Sequence, residues 1–142
     1  MDQIFIANAS YLGSYGNALA GEEATDYLYE MGHRRIAYFG VSNAMLFSAE
    51  RRRGYQMSLL KHGITPREED CVEIGTLNDA YEETLKALLT APDRPTAMLV
   101  SDDILAVVLE QFCGKLGLHV PKDLSIVSFN NSLFSRITSP QL

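Results

Sequence analysis

Polar side chains follow two of the most apolar stretches in this sequence. The stretch 97–100 (AMLV) leads into Asp102, the stretch 125–129 (SIVSF) leads into Asn130, and Arg51 opens the second helical pattern. Carboxylate, amide and guanidinium groups together offer both hydrogen-bond donors and acceptors, and each hydroxyl of a polyhydroxylated ligand requires both. The residue types therefore predict a site for a small polar ligand.

The same residues do not form a recognisable catalytic arrangement. No nucleophile stands beside a base, and the sequence contains no G-x-S-x-G, P-loop or G-x-G-x-x-G motif after a predicted strand. Asp102 and Asp103 could serve as paired carboxylates for acid–base chemistry, but we expect Asp103 mainly to cap a helix and Asp102 to face the ligand. His33, His62 and His119 fall away from the predicted site. We predict a binding protein with no catalytic residues.

Metal and cofactor chemistry are not predicted either. Cys71 and Cys113 are far apart without a Cys-x-x-Cys spacing, and no histidine has a further ligand at metal-binding spacing. We expect both cysteines to be buried small hydrophobic residues in a reducing compartment.

Composition and charge exclude several classes of protein. The 142 residues are 46% hydrophobic and 21% charged, as expected of one globular domain. A net charge of −6 argues against a domain that holds DNA by itself. The arginines of the basic clusters at 33–35 (HRR) and 51–53 (RRR) are predicted mostly to be solvated surface residues. No apolar run spans a membrane and no signal peptide is visible, so we expect a cytoplasmic protein without membrane contact.

Hydrophobic periodicity alternates between helix and strand along the chain. Helical patterns span residues 17–31, 48–62, 79–90 and 102 or 103 to 116. The residues assigned to the apolar faces of the first two are Ala20, Ala24, Tyr27, Leu28, Met31, Tyr55, Leu59 and Leu60. Apolar strand patterns span residues 36–40, 72–75, 97–100 and 125–129, with residues 4–7 as a further candidate. Gly32, Gly63 and Gly117 are expected to end helices. Continuous apolar strands separated by helices predict a doubly wound α/β fold with a parallel sheet between helices.

The parallel sheet explains why the polar residues should meet. The carboxyl ends of all strands in such a sheet lie at one edge, where ligands bind. Asp102 and Asn130 are expected at this edge, together with the segments 40–48 and 75–79, and Arg51 is expected beside it.

Four segments together resemble a known family. They are GHRRIA before a strand, RxxGY on the next helix, RPTA leading a strand into SDD, and GxxVPxDLSIVSFN, in this order over residues 22–132. The set is similar to the effector domain of LacI/GalR transcriptional repressors. The resemblance implies a periplasmic binding protein type I-like fold, with an effector between two α/β halves. Residues 17–142 match the C-terminal half, and residues 1–16 stay poorly assigned.

The resemblance also implies roles for single residues. Arg51 matches an arginine that hydrogen-bonds the effector, and Asp102 falls at a polar contact. Asn130 stands where the family usually has an aspartate, so the charge-assisted hydrogen bond of a carboxylate is lost. Leu77 lies near the position of an aromatic ring in relatives.

Two alternatives remain at these positions. Arg51 could form a surface ion pair with Glu50 or Asp102. Asn130 could instead cap the turn that follows it.

By resemblance, the chain is predicted to be the effector-sensing part of a LacI-type repressor. The expected effector is a mono- or disaccharide, and overall resemblance to maltose-type regulators together with the Asn130 and Asn131 pair favours a maltose-like one. Operator DNA is expected to bind through an N-terminal head absent from this chain, in a homodimer or higher oligomer. The alternative is a sugar-binding transport receptor with the same fold. A hydrolase or kinase is disfavoured by the missing motifs.

Overall fold

The structure is a computed structural model that describes residues 4–8, 14–41, 46–75 and 80–130. Side chains are described for residues 16–41, 48–75 and 80–129. The predicted site residue Leu77 lies outside the described residues, and so does the side chain of Asn130.

Within the described residues, five parallel strands form a single sheet in the order β1-β5-β4-β2-β3. The strands are β1 Ile4–Asn8, β2 Ile36–Val41, β3 Cys71–Ile74, β4 Ala97–Val100 and β5 Ser125–Asn130. The helices are α1 Ser14–Glu30, α2 Leu46–Lys61, α3 Tyr81–Thr90 and α4 Asp103–Leu116, and a short 3-10 turn spans Glu68–Asp70. The predicted doubly wound α/β fold is confirmed.

The N-terminal segment takes part in this sheet. The candidate strand at residues 4–7 is a strand of the structure, and it pairs with β5 in the register Ile6 to Ser128. Helix α1 begins at Ser14, three residues before the predicted start at Asn17.

Alternate residues of each strand contact helices on opposite faces of the sheet. One face packs against α3 and α4, and its core includes Ala37, Phe39, Met98, Val100, Ile126, Leu85, Leu89 and Leu109. The other face packs against α1 and α2, and its core includes Ile36, Tyr38, Leu99, Val127, Phe129, Leu28, Tyr55 and Leu59. Because both faces are covered, the strands are apolar at successive positions, which is the pattern that predicted them.

Helix ends follow the predicted glycine signals. Gly32, Gly63 and Gly117 all have positive φ angles. At Gly117, φ is 79° and the backbone N–H bonds to carbonyls of the last turn of α4, including that of Cys113. Glycine adopts this left-handed conformation without a Cβ clash, so the helix can end and its carbonyls remain paired.

Of the residues assigned to the apolar faces of α1 and α2, Ala24, Leu28, Tyr55 and Leu59 are buried, but three others are exposed. Met31 and Leu60 are each 62% exposed, and Tyr27 is 43% exposed. The reason lies in how α1 and α2 meet: Ser58 of α2 is buried and donates a hydrogen bond to Asp26 of α1 at 2.6 Å. A hydrophobic stripe therefore does not mark the face that these two helices share.

The cysteines fit their predicted state in part. Cys71 and Cys113 are both free. Cys113 is buried against the α3 and α4 core, whereas Cys71, the first residue of β3, is half-buried. Burial raises the pKa of both thiols to about 11, so neither is a thiolate at neutral pH.

No helix in the described part of the chain is long and apolar enough to cross a membrane.

Two glycines allow the backbones of α1 and α2 to touch. A Cβ atom on Gly54 would lie 1.9 Å from the carbonyl oxygen of Ala18, and one on Gly21 would lie 2.3 Å from that of Arg51. Backbone atoms cannot yield as a flexible side chain can, so the helices would have to separate. This close approach sets the distance between Arg51 and α1.

We expect Gly54→Ala to destabilise the chain by about 1–3 kcal/mol because the added methyl group overlaps α1. Urea unfolding followed by circular dichroism measures the change. Gly114→Ala is the matched control, since a Cβ there meets nothing within 4 Å and should add about 0.5–1 kcal/mol of helix stability. Unfolding midpoints that move in the same direction in the two variants would contradict this packing.

Candidate functional site

The carboxyl edge of the sheet holds the predicted site residues that the structure describes. Asp102 lies two residues after the end of β4, and the backbone of Asn130 ends β5, in register with Asn8 of β1. Strands β4 and β5 are neighbours, paired at Leu99 and Val127. The two segments therefore reach the edge side by side, as expected for parallel strands.

Arg51 is buried at this edge, with 1% of its surface exposed. Its Nε donates a hydrogen bond to Oδ1 of Asn17 at 2.9 Å, and a terminal nitrogen donates to the carbonyl oxygen of Ser101 at 2.5 Å. The guanidinium carbon also lies 4.6 Å from the centre of the Phe129 ring. The surface location assumed for an ion pair of Arg51 with Glu50 or Asp102 was wrong, because the arginine is enclosed between α1, β4 and β5.

Burial changes the electrostatics of Arg51. Removal from water lowers its pKa to about 10, while the nearby carboxylate of Asp102 acts in the opposite direction. The guanidinium therefore stays charged at neutral pH. Oxygen acceptors and an aromatic ring compensate for its lost hydration. The planar guanidinium of arginine is more weakly hydrated than the ammonium of lysine, so its burial costs less free energy.

The other arginines of the two clusters divide between surface and interior contacts. Arg35 donates two hydrogen bonds to the carboxylate of Asp70, which is 3% exposed. Arg52 pairs with Glu73. The sequence predicted that most arginines of these clusters are exposed, but only Arg34 and Arg53 are.

Asp102 caps α4, which corrects the expectation that Asp103 does so. The backbone of Asp102 is extended (φ −156°), and its side chain accepts a hydrogen bond from the N–H of Leu105 at 2.9 Å. A cap needs this non-helical conformation so that the side chain can turn back to the first N–H groups. Asp103 is already the first helical residue and cannot meet that condition.

The protonation of Asp102 reflects its position. Burial raises the pKa of its carboxyl group, and the hydrogen bond from Leu105 opposes part of that rise. The neighbouring Asp103 adds negative charge and raises the pKa further.

Three buried polar atoms have no hydrogen-bond partner in the described part of the chain. They are Oγ of Ser101, Oδ1 of Asp103 and Oγ of Ser128. Each unsatisfied group costs on the order of 1–3 kcal/mol. Two of them lie where β4 leads into α4, so this edge is less favourable for stability than the core beneath it.

A second hydrogen-bond network fixes the start of α2. The hydroxyl of Ser48 donates to the carbonyl oxygen of Val41 at 2.8 Å, and the hydroxyl of Tyr38 lies 2.8 Å from Ser48 Oγ. Burial raises the pKa of Tyr38 to about 12, so its phenol keeps its proton. This network joins α2 to the end of β2 and thereby helps to place Arg51.

Sequence reasoning missed Asn17 and Phe129 as parts of this site, whereas Ser48 belongs to the segment 40–48 that it expected at this edge. Asn17 is 34 residues from Arg51, and Phe129 was assigned only to the core. No local pattern marks these positions. Within the residues that the structure describes, no group of three or more His, Cys, Asp or Glu side chains could hold a metal ion.

A family model called the periplasmic binding protein-like domain matches residues 25–142. The chain belongs to this family. Its relatives are LacI-type regulators, so the predicted resemblance to the LacI/GalR effector domain is confirmed.

Three of these relatives show how far the match extends. Catabolite control protein A of Priestia megaterium is 32% identical over 124 residues, which are 87% of this chain and 37% of that protein. A LacI family transcriptional regulator from Mycobacterium smegmatis is 32% identical, with a TM-score of 0.72 over 89% of this chain and 47% of its own. The transcriptional regulator CelR, solved as a cellobiose complex, is 29% identical with a TM-score of 0.71, over 84% and 37% of the two chains. The chain thus spans less than half the length of these relatives.

The raised pKa of Asp102 predicts the direction of a pH effect on stability. The folded chain holds this proton to higher pH than the unfolded chain, whose carboxyl titrates near 3.8, so the ionised group weakens the fold as pH rises above about 4. Asp102→Asn keeps an acceptor for Leu105 and does not titrate. We expect the unfolding free energy of this variant, relative to that of the unmodified chain, to increase between about pH 4 and about pH 7.

Asp123 is the matched control for this measurement. Hydrogen bonds from His119 lower its pKa, so its ionised form stabilises the fold and that contribution fades below about pH 4. Asp123→Asn should therefore be less stable than the unmodified chain at neutral pH, with a gap that closes on acidification. Urea unfolding from about pH 2 to about pH 7 tests both variants. A pH-independent gap for Asp102→Asn would refute the assignment.

Proposed function

We propose that this chain is the effector-sensing portion of a LacI-type transcriptional regulator. It binds a sugar or a related small metabolite at the carboxyl edge of its sheet, and this binding controls operator binding by a DNA head outside the chain. The observation that carries the proposal is the buried, charged Arg51, held at that edge by Asn17, Ser101 and Phe129. A buried charged group at the ligand edge of a domain of this family supports a role in binding a small polar molecule.

The chemistry of the edge suits a ligand rich in hydroxyl groups. The proposed contacts are the guanidinium of Arg51 as donor, the carboxylate of Asp102 as acceptor, and the amide of Asn130 as both. Leu77 is proposed to border the ligand without offering an aromatic face. A mono- or disaccharide fits these groups, and the cellobiose bound in CelR supports this class. Within this class we propose a maltose-like effector, which the sequence favours.

Control of DNA binding follows from a ligand that favours one conformation. An effector shifts a closed–open equilibrium only by its difference in affinity for the two states, and such coupling is typically ~1–3 kcal/mol. A net charge of −6 argues against DNA contact by this chain itself and supports a DNA contact elsewhere in the full-length protein. A homodimer acting in the cytoplasm suits a palindromic operator.

Binding of the full-length protein to its own promoter DNA tests the proposal. Fluorescence anisotropy is measured with and without a panel of sugars that includes maltose and cellobiose. We expect a salt-dependent complex whose affinity changes at least about fivefold with one sugar, a coupling near the lower end of the usual range. DNA binding that ignores every sugar would remove the sugar effector. No DNA binding at all would favour the transport receptor with the same fold.

Asn130→Ala in the full-length protein tests the predicted contact at the end of β5. Loss of a hydrogen-bonding amide should weaken binding of the responding sugar by about tenfold, measured by titration calorimetry. Lys86→Ala, exposed on α3, is the control and should leave the affinity unchanged. An Asn130→Ala affinity within about twofold of the unmodified protein would exclude this contact, since one lost hydrogen bond exceeds that change.

A further inference from the structure

The side chain of Asn17 links helix α1 to the ligand edge. The backbone contacts at Gly21 and Gly54 hold α1 directly against α2, as the distances to Arg51 and Ala18 show. Asn17 precedes Ala18 on α1, so the same close approach places its side chain at Arg51. Asn17 is 5% exposed, and its Oδ1 lies 2.9 Å from Nε of Arg51.

Contacts with Asn17, Ser101 and Phe129 hold the planar group of Arg51 in one orientation. The bond to Asn17 holds the inner nitrogen, Nε, and the bond to the Ser101 carbonyl holds one terminal nitrogen. The ring of Phe129 lies against the guanidinium. Two hydrogen bonds at different corners and one packed surface leave a planar fork little freedom to rotate. Of these two acceptor oxygens, that of Asn17 belongs to a side chain, so substitution of Asn17 removes this hydrogen bond and leaves the Ser101 carbonyl in place.

We propose that Asn17 is a positioning residue, which orients the guanidinium of Arg51 for ligand binding without itself contacting the ligand. The link to ligand affinity rests on the proposed function, in which Arg51 binds the effector. The orientation of Arg51 by Asn17 does not depend on that function. Ordering of a recognition group before binding saves the free energy of ordering it during binding.

Thr25 provides a control on the same helix. It is a buried polar residue of α1, and its hydroxyl donates to the carbonyl of Gly21 at 2.8 Å, within the helix. Thr25→Ala therefore removes a buried hydrogen bond from α1 without touching Arg51. An effect specific to Asn17 must be absent from this variant.

Hydrogen exchange at the Arg51 Nε–H reports the contact without any ligand. The resonance is observed in the whole protein labelled with 15N-arginine and is assigned by its loss in Arg51→Lys. We expect exchange about tenfold faster in Asn17→Ala, since its acceptor is gone. Exchange should remain slow in Asn17→Asp, whose carboxylate is a stronger acceptor, and in Thr25→Ala.

Titration of the same proteins with maltose and cellobiose follows the consequence for binding. For a sugar that binds the unmodified protein, affinity should fall about tenfold in Asn17→Ala and be retained in Asn17→Asp and Thr25→Ala. Unchanged Arg51 exchange in Asn17→Ala, or an equal acceleration in Thr25→Ala, overturns the proposal. Faster exchange with unchanged sugar affinity overturns it as well.

Failure of the proposed function has a different signature. If neither sugar binds the unmodified protein, the sugar effector fails, while the exchange rates still decide whether Asn17 orients Arg51. Thermal unfolding of each variant accompanies both measurements. Asn17→Asp keeps the test decisive where Asn17→Ala loses its fold.

Discussion

A buried positive charge organises the carboxyl edge of this domain. The guanidinium of Arg51 contacts α1 through Asn17, the end of β4 through Ser101 and β5 through Phe129. An uncompensated charge in an apolar interior costs several kcal/mol, a large part of the net stability of a small domain. These contacts are therefore a condition for folding around Arg51. Movement of α1, β4 or β5 must also move the guanidinium.

The packing of α1 against α2 makes this arrangement possible. Glycines at 21 and 54 remove the side chains that would keep the helices apart. Polar pairs then align the two helices: Ser58 donates to Asp26 at 2.6 Å, and Lys61 bonds to the same carboxylate at 2.8 Å. Hydrogen bonds of this kind specify one alignment of two helices more sharply than apolar contact, which is not directional.

Asp102 combines a structural role with a place at the proposed ligand edge. Its side chain caps α4 through Leu105, and its charge lies close enough to Arg51 to affect the pKa of that group. Burial raises its own pKa, so the carboxylate is held in a place that disfavours its charge. Residues in environments that are unfavourable for stability are concentrated at functional sites, where stability is not the sole requirement. Oδ1 of the adjacent Asp103, which is buried without a hydrogen-bond partner among the described residues, is also unfavourable for stability.

The sequence by itself determined the order of helices and strands, the parallel sheet and the edge at which Asp102 and Asn130 arrive. These features follow from local hydrophobic periodicity and glycine signals. A strand buried on both faces is apolar at successive positions, whereas an amphipathic helix is apolar at every third or fourth position. Only the tertiary structure decided that Arg51 is buried, that Asn17 is its partner and that Leu60 is exposed. Those features depend on which face of α2 meets α1. Contacts between residues 34 positions apart leave no periodic trace in the chain.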